Sequence, residues 1–210
     1  MKTSPTSPSG AGLLEKARAG DFDAFADLCE SCRESTCAYL TGAGLAEPDE
    51  AEDVFMDSFL RARRAIASFQ GGSSFSTWLC SIARNIALDR KRAAAARPVF
   101  SLDASPSGED SSWEPRLASD GLFPSPSAAP DPSAALDEES RNETVRAALA
   151  SLPGKTREAL VLYHMQDKSY SEIAAILGVP IGTVMSRIHN GRKKLAAMLA
   201  PVLGLEEGLP

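Results

Sequence analysis

Four positively charged side chains and no acid fall within residues 187–194: Arg187, Arg192, Lys193 and Lys194. They close a stretch, residues 169–195, in which two apolar periodic runs meet at Gly178. This chemistry suits a polyanion, and the pattern is that of a helix-turn-helix aimed at a groove of duplex DNA. Ser169 or Ser171 can cap the first helix, with Glu172 adding negative charge to its first turn. Gly178 stands where a left-handed cap is needed. Pro180 and Gly182 begin the second helix. At about 100° per residue, Val184, Ile188 and Leu195 share the buried face of that helix. Thr183, Ser186, His189, Asn190 and Lys193 lie opposite, within reach of base edges. Arg187 and Arg192 flank them, where phosphates would lie.

A second constellation lies in residues 75–92. Phe75 and Trp78 follow a Gly71-Gly72 turn, and Arg84, Asn85, Arg90, Lys91 and Arg92 come after them. Phe75, Trp78, Leu79, Ile82 and Ile86 form an apolar side. Thr77, Arg84 and Lys91 point away from it, with Asn85 and Arg92 beside them. Aromatic, polar and basic groups in this order suit a melted strand, with bases captured near the turn and cations holding the backbone. Trp78 itself reads first as a core residue.

These two sites need elements to hold them. The chain has 210 residues, 43% of them hydrophobic, and a net charge of −6. That acidity argues against a protein that coats DNA nonspecifically. It is concentrated in residues 101–135, with six acids against Arg116. Helical periodicity runs over residues 13–40 with a break at Gly20-Asp21, from Pro48 to Ile66, and over residues 74–96. It resumes over 136–151 and 153–166, ahead of the helix-turn-helix. Strand patterns are absent from this reading. The fold class is all-α: two small helical domains joined by an acidic, Ser/Pro-rich linker. The boundaries expected are a disordered tail over 1–10, a first domain over 11–98, the linker over 99–135, a second domain over 136–200 and a tail over 201–210.

Residues 52–64 carry acids first (Glu52, Asp53, Asp57) and bases later (Arg61, Arg63, Arg64). This face is as compatible with a protein partner as with plain i,i+4 stabilisation of an exposed helix. Cys29, Cys32, Cys37 and Cys80 lack paired metal-ligand spacing and read as small packing residues. No apolar run approaches the ~20 residues of a membrane span. With no signal-peptide pattern either, a cytoplasmic protein without membrane insertion is expected. Two histidines, no glycine-rich phosphate loop and no cofactor motif leave an enzyme without support; neither cofactor nor metal is expected.

Taken together, Asp21–Phe25, Glu52–Arg64, Phe75–Arg92 and Leu152–Leu195 resemble regions 2.1, 2.2, 2.3–2.4 and 4 of extracytoplasmic function (ECF) sigma factors. The resemblance implies that the chain binds the clamp helices and flap of core RNA polymerase, and promoter DNA. Asp53, Met56, Asp57, Phe59 and Arg61 would meet the clamp. Thr77, Arg84, Asn85, Arg90, Lys91 and Arg92 would open and read the −10 element. The helix-turn-helix would read the −35 element, and an anti-sigma factor is an expected partner. The acidic linker would thread through the polymerase. Five positions depart from the family pattern. Met56 stands for the usual glutamine, Arg63 for a frequent tryptophan, Met185 for a common arginine, and Asn190-Gly191 for a more basic pair. The alternative is a helix-turn-helix regulator that acts without being a polymerase subunit.

Overall fold

The computed structural model describes residues 8–96 and 142–203, with side chains for 12–96 and 142–200. The linker, with its three large apolar side chains Trp113, Leu117 and Phe123, and most of both tails lie outside the described residues. Among the described residues every regular element is helical.

Helix α1 spans Pro8–Arg18 and so begins within the segment expected to be an unstructured tail. The chain turns at Gly20, whose φ of +103° is open to glycine but strained for other residues. Asp21 then caps α2 (Phe22–Gly42) by accepting from the Ala24 N–H at 3.1 Å. Phe25, Leu28, Cys29 and Cys32 turn one side of α2 into the first core, and Tyr39 and Leu40 carry its C-terminal end into a second. Phe25 is fully buried; a side chain of that size contributes about 1.5–3 kcal/mol by leaving water.

Helix α3 (Pro48–Ala65) starts where proline, with no N–H to offer, costs least. The Glu50 carboxylate reaches back to the Glu47 N–H at 3.3 Å. Ala51, Val54, Phe55, Ser58 and Ala62 face inward. A 3-10 turn, Ile66–Ser68, leads to the glycine turn and then to α4 (Phe75–Ala96). Ser74 caps α4 by accepting from the Thr77 N–H at 3.2 Å.

The second half opens with a helix over residues 142–150, here α5. Pro153 ends the connection, and α6 (Gly154–His164) follows. Ser169 is the residue that caps α7 (Tyr170–Leu177): its Oγ accepts from the Glu172 N–H, and Glu172 bonds back to the Ser169 N–H at 3.0 Å. Gly178 takes φ +65° and closes α7 onto the Ala174 carbonyl. Helix α8 (Ile181–Leu203) leaves at 104° to α7 and continues past residue 200, into what reads in sequence as tail. No single described helix is long and apolar enough to cross a membrane.

The two helical units share a core. One apolar cluster joins Tyr39, Leu40, Cys80 and Ala83 from the first unit to Leu160, Val161, Ile173 and Val184 from the second. Helix α4 is therefore buried on two sides. Phe75 and Leu79 face α2 and α3, while α7 packs across another side of α4.

Candidate nucleic-acid interface

The helix-turn-helix follows the pattern read from its residues. Val184 and Ile188 are fully buried, and Leu195 packs against the same cluster. Ser186, His189, Asn190, Arg192 and Lys193 are exposed on α8, and Thr183 and Arg187 are half-buried. The Arg192 Nε donates to His164 Nε2 at 3.1 Å, and its guanidinium lies 4.9 Å from the centre of the Tyr163 ring. Arg192 is thus oriented from the side by α6 rather than free to sweep the solvent. Met185 and Ile181, one turn apart, are about half exposed (52% and 48%), so an apolar strip borders the polar recognition face.

Gly191 has a different role from the one suggested by the missing basic residue. It is buried, and a Cβ placed there would lie 2.7 Å from Leu160 Cδ1 and Thr156 Cγ2. Glycine lets α8 cross α6 closely, so this position cannot carry a long DNA-contacting side chain.

The α4 constellation is arranged otherwise than expected. Thr77, Arg84 and Lys91 do point away from the first core, but Thr77 and Arg84 point into the second unit instead of solvent, while Lys91 is exposed and bonds back to the first unit. Thr77 is only 1% exposed, and its hydroxyl donates to Glu172 Oε1 at 3.0 Å. Arg84 Nε donates to Glu158 Oε2 at 2.5 Å, in a pair whose side chains are 15% and 7% exposed. The Tyr39 hydroxyl lies 3.5 Å from the same Glu158 oxygen. The Lys91 ammonium donates to the Gly44 carbonyl. A helical wheel identifies the face opposite one core; it does not show whether another part of the chain covers that face.

The remaining polar and basic candidates on α4 are open. Asn85, Arg90 and Arg92 are exposed. Arg90 pairs with Asp57 of α3, so a candidate strand-binding cation and a candidate polymerase-binding acid engage each other. Arg92 pairs with Asp89 at 3.0 Å. Exposed pairs of this kind hold their partners by about 0–1 kcal/mol and exchange readily for a phosphate or another protein. Trp78 is part of the packing, tilted against Phe69 at 4.8 Å between ring centres and against Phe75 at 5.8 Å.

Between the units lies a cleft of about 460 Å³, lined by Arg84, Lys91, Arg92, Lys155 and Arg157 against Glu158 alone among acids. Burial, followed by the nearby Arg157 charge, depresses the Lys91 pKa. Burial would raise the Glu172 carboxyl, but hydrogen bonds from Ser169 and Thr77 outweigh it and hold the pKa below 4.5.

On α3, Asp53, Met56, Asp57 and Arg61 are exposed along one side, while Phe59 is half-buried against Phe22 and Phe25. Met56 is 56% exposed and Leu60 51%, so the side is an apolar strip edged by charge. Arg63 places its guanidinium 4.7 Å from the centre of the Phe22 ring. A cation thus covers the phenyl face.

The cysteines are free thiols. Burial pushes Cys29 and Cys80 up to about 12 and Cys37 up to about 11. Among the described residues no group of three or more His, Cys, Asp or Glu is placed to hold a metal ion.

Described residues that are helical throughout their regular elements, with a capped helix-turn-helix, a basic helix behind an aromatic turn and an exposed apolar strip on α3, have the layout of a two-site transcription factor. The sigma-70 region 2 family matches residues 35–97, and the sigma-70 region 4 family matches residues 142–195. The chain is 35% identical over 187 residues to the ECF RNA polymerase sigma factor SigW of Bacillus subtilis (strain 168), covering 89% of this chain and 94% of that one. It is 32% identical to the RNA polymerase sigma-H factor of Pseudomonas aeruginosa, over 91% of this chain and 94% of that one. Among solved structures, CnrH in complex with the cytosolic domain of CnrY aligns with a TM-score of 0.62 at 25% identity, covering 92% of this chain and 99% of that one. The sigma factor RpoE in complex with the anti-sigma factor NepR from Bartonella quintana aligns at 0.57 and 25% identity, covering 85% of this chain and 96% of that one. The chain belongs to the sigma-70 family, in its ECF class.

Of the residues that join the units, Tyr39, Glu158, Lys168 and Arg157 were not singled out from sequence. Glu158 does carry a signal. It is a carboxylate directly preceding the apolar run Ala159-Leu160-Val161-Leu162, and a charge in that setting needs a partner.

Proposed function

We propose that this sigma factor binds core RNA polymerase through α3, directs it to promoters by reading a −35 element with α8, and captures an opened −10 element with α4. Its place is in the cytoplasm, beside polymerase and promoter DNA, and it acts by binding, with no catalytic step of its own. The observation that carries this reading is the coexistence of two separate cationic surfaces and one apolar strip on a single ECF-class chain. A duplex reader alone needs only the first.

In this reading Asp53, Met56, Asp57, Phe59 and Arg61 contribute the polymerase surface. Met56 and Phe59 supply apolar area and the charged residues supply orientation. Thr183, Ser186, His189, Asn190 and Lys193 face base edges, and Arg187 and Arg192 face phosphates. With fewer arginines on this helix there are fewer bidentate guanine contacts than a more basic recognition helix makes. Arg84, Asn85, Arg90, Lys91 and Arg92 hold the backbone of the melted strand, and Thr77 lies at the turn where bases are taken out of the stack. The acidic linker threads toward the polymerase active site, where its charge imitates nucleic acid. A regulator of the anti-sigma class is a partner, as NepR is of RpoE in the solved complex.

The test is transcription with purified core polymerase over a promoter library. The expected result is initiation, dependent on the added chain, at promoters sharing one −35/−10 pair. A chain that fails to co-purify with core polymerase yet retards duplex operators by itself would overturn the proposal in favour of a free-standing regulator.

A further inference from the structure

We infer that Met185, with Ile181 beside it, reads the C5-methyl group of a thymine in the −35 element. The inference rests on the proposed seating of α8 in the major groove of that element, and it adds an apolar determinant to the polar ones named above.

Met185 is held outward. Val184 and Ile188 are buried at 0% and 2% exposure and fix the roll of α8. Met185 follows Val184 by about 100° and so stands on the flank of the recognition face. Its side chain and that of Ile181, four residues earlier, are both about half exposed. Neither belongs to the apolar cores of the two units. Two large apolar side chains thus stand in water on the first turns of the helix, the end of a recognition helix that enters the groove. Gly182, between them, adds no side chain, and nothing lies within 4 Å of where its Cβ would stand. A duplex can therefore come close to the start of α8.

The surroundings decide what covers this strip. No acid stands on α8, and Arg187, Arg192, Lys193 and Lys194 follow Met185. Arg192, seven residues on from Met185, shares its line along the helix and is held in place by His164 and Tyr163. A helix that docks in a protein groove presents apolar anchors in succession at i, i+3 or i+4, and i+7. Here the row ends after Ile181 and Met185 and continues as His189 and Arg192. The occupant is therefore anionic around the strip and apolar at one point. Duplex DNA meets that description at thymine, whose C5-methyl is the apolar group among the major-groove base edges. Methionine suits the contact, being unbranched and polarisable. Ser186 and His189, exposed beside Met185, are left to hydrogen-bond neighbouring base edges. The methyl contact then specifies a position that the polar residues do not.

The experiment uses the reconstituted holoenzyme on a promoter that it selects. Each thymine of the −35 element, on either strand, is exchanged in turn for deoxyuridine, which deletes the methyl and keeps every hydrogen-bonding group. Competition binding at fixed salt reads the affinity. One position is expected to lose about fourfold, the fold-change for one methyl-sized group left in water. Met185→Ala is expected to bind the thymine promoter about fourfold more weakly than the parent and to be indifferent to uracil at that position. Met185→Leu keeps the apolar bulk and should restore the uracil penalty. A −35 element without thymine, no uracil penalty in the parent, or an undiminished penalty in Met185→Ala would overturn the inference. So would weaker capture of core polymerase by Met185→Ala without DNA, because the strip would then belong to the polymerase. Failure of the broader reading looks different. There the parent holoenzyme selects no promoter, and the inference falls with it; here the promoter is bound and the methyl ignored.

Discussion

Gly191→Ala is the smallest change that tests the packing behind the recognition helix. The added Cβ would stand 2.7 Å from both Leu160 Cδ1 and Thr156 Cγ2, and 3.1 Å from Leu160 Cγ. Carbon pairs are comfortable at about 3.5–4.0 Å, so α6 and α8 must separate by about 1 Å or Leu160 must leave its rotamer. Overpacking of this kind costs about 1–3 kcal/mol. Against it stands the higher helix propensity of alanine, worth about 1 kcal/mol in a helix interior. The net expectation is a loss of about 1 kcal/mol, a drop of about 2–4 °C in melting midpoint for a chain of this size. Gly182→Ala is the matched control. It lies in the first turn of the same helix with nothing within 4 Å of its new Cβ, so it should be neutral or stabilising. Thermal unfolding followed by circular dichroism reads both. A midpoint raised equally by the two substitutions would refute the close crossing of α8 over α6.

Other expectations rest on individual side chains. Replacing Lys193 or Arg187 with alanine should lower promoter affinity and reduce the log–log salt slope by about 1 for each phosphate that is no longer neutralised; titration of binding against salt measures it. Met56→Asp should weaken capture by core polymerase in a pull-down while leaving the melting midpoint unchanged, because the side chain is more than half exposed. The Glu172 carboxyl is held below 4.5 in the folded chain, so its contribution to stability is present above the unfolded value and lost as pH falls through the folded one. Denaturant midpoints of the parent and Glu172→Gln should therefore differ near neutrality and converge as the carboxyl is protonated.

Much of the second unit was legible in the sequence. Local rules govern it: a serine three residues before a glutamate, a glycine after the last apolar residue, and apolar positions spaced for one face of α8 all act within a turn or two. The first unit's helices were likewise marked by Pro48, Gly20-Asp21 and the Gly71-Gly72 turn. What escaped was the seam between the units. Arg84 and Glu158 are 74 residues apart and Thr77 and Glu172 are 95 apart, so no periodic pattern links them. Gly191 escaped for a related reason. Its meaning lies in the neighbour it admits, and Leu160 sits on a different helix. The α3 surface was legible in composition, whereas the pairing of its Asp57 with Arg90 of α4 needed coordinates.

The cation over Phe22 has one more consequence, for spectroscopy. Arg63, not an indole, covers Phe22, and the chain holds just two tryptophans, Trp78 and Trp113. Trp78 sits on Phe69 and Phe75, one residue from Thr77. With Trp113→Phe, the tryptophan emission of the protein, excited beyond the tyrosine absorption band, comes from a single indole at the start of α4. Colour and quenching of that emission become a label-free optical readout of whether this corner is covered by protein, wetted by solvent or stacked against a base.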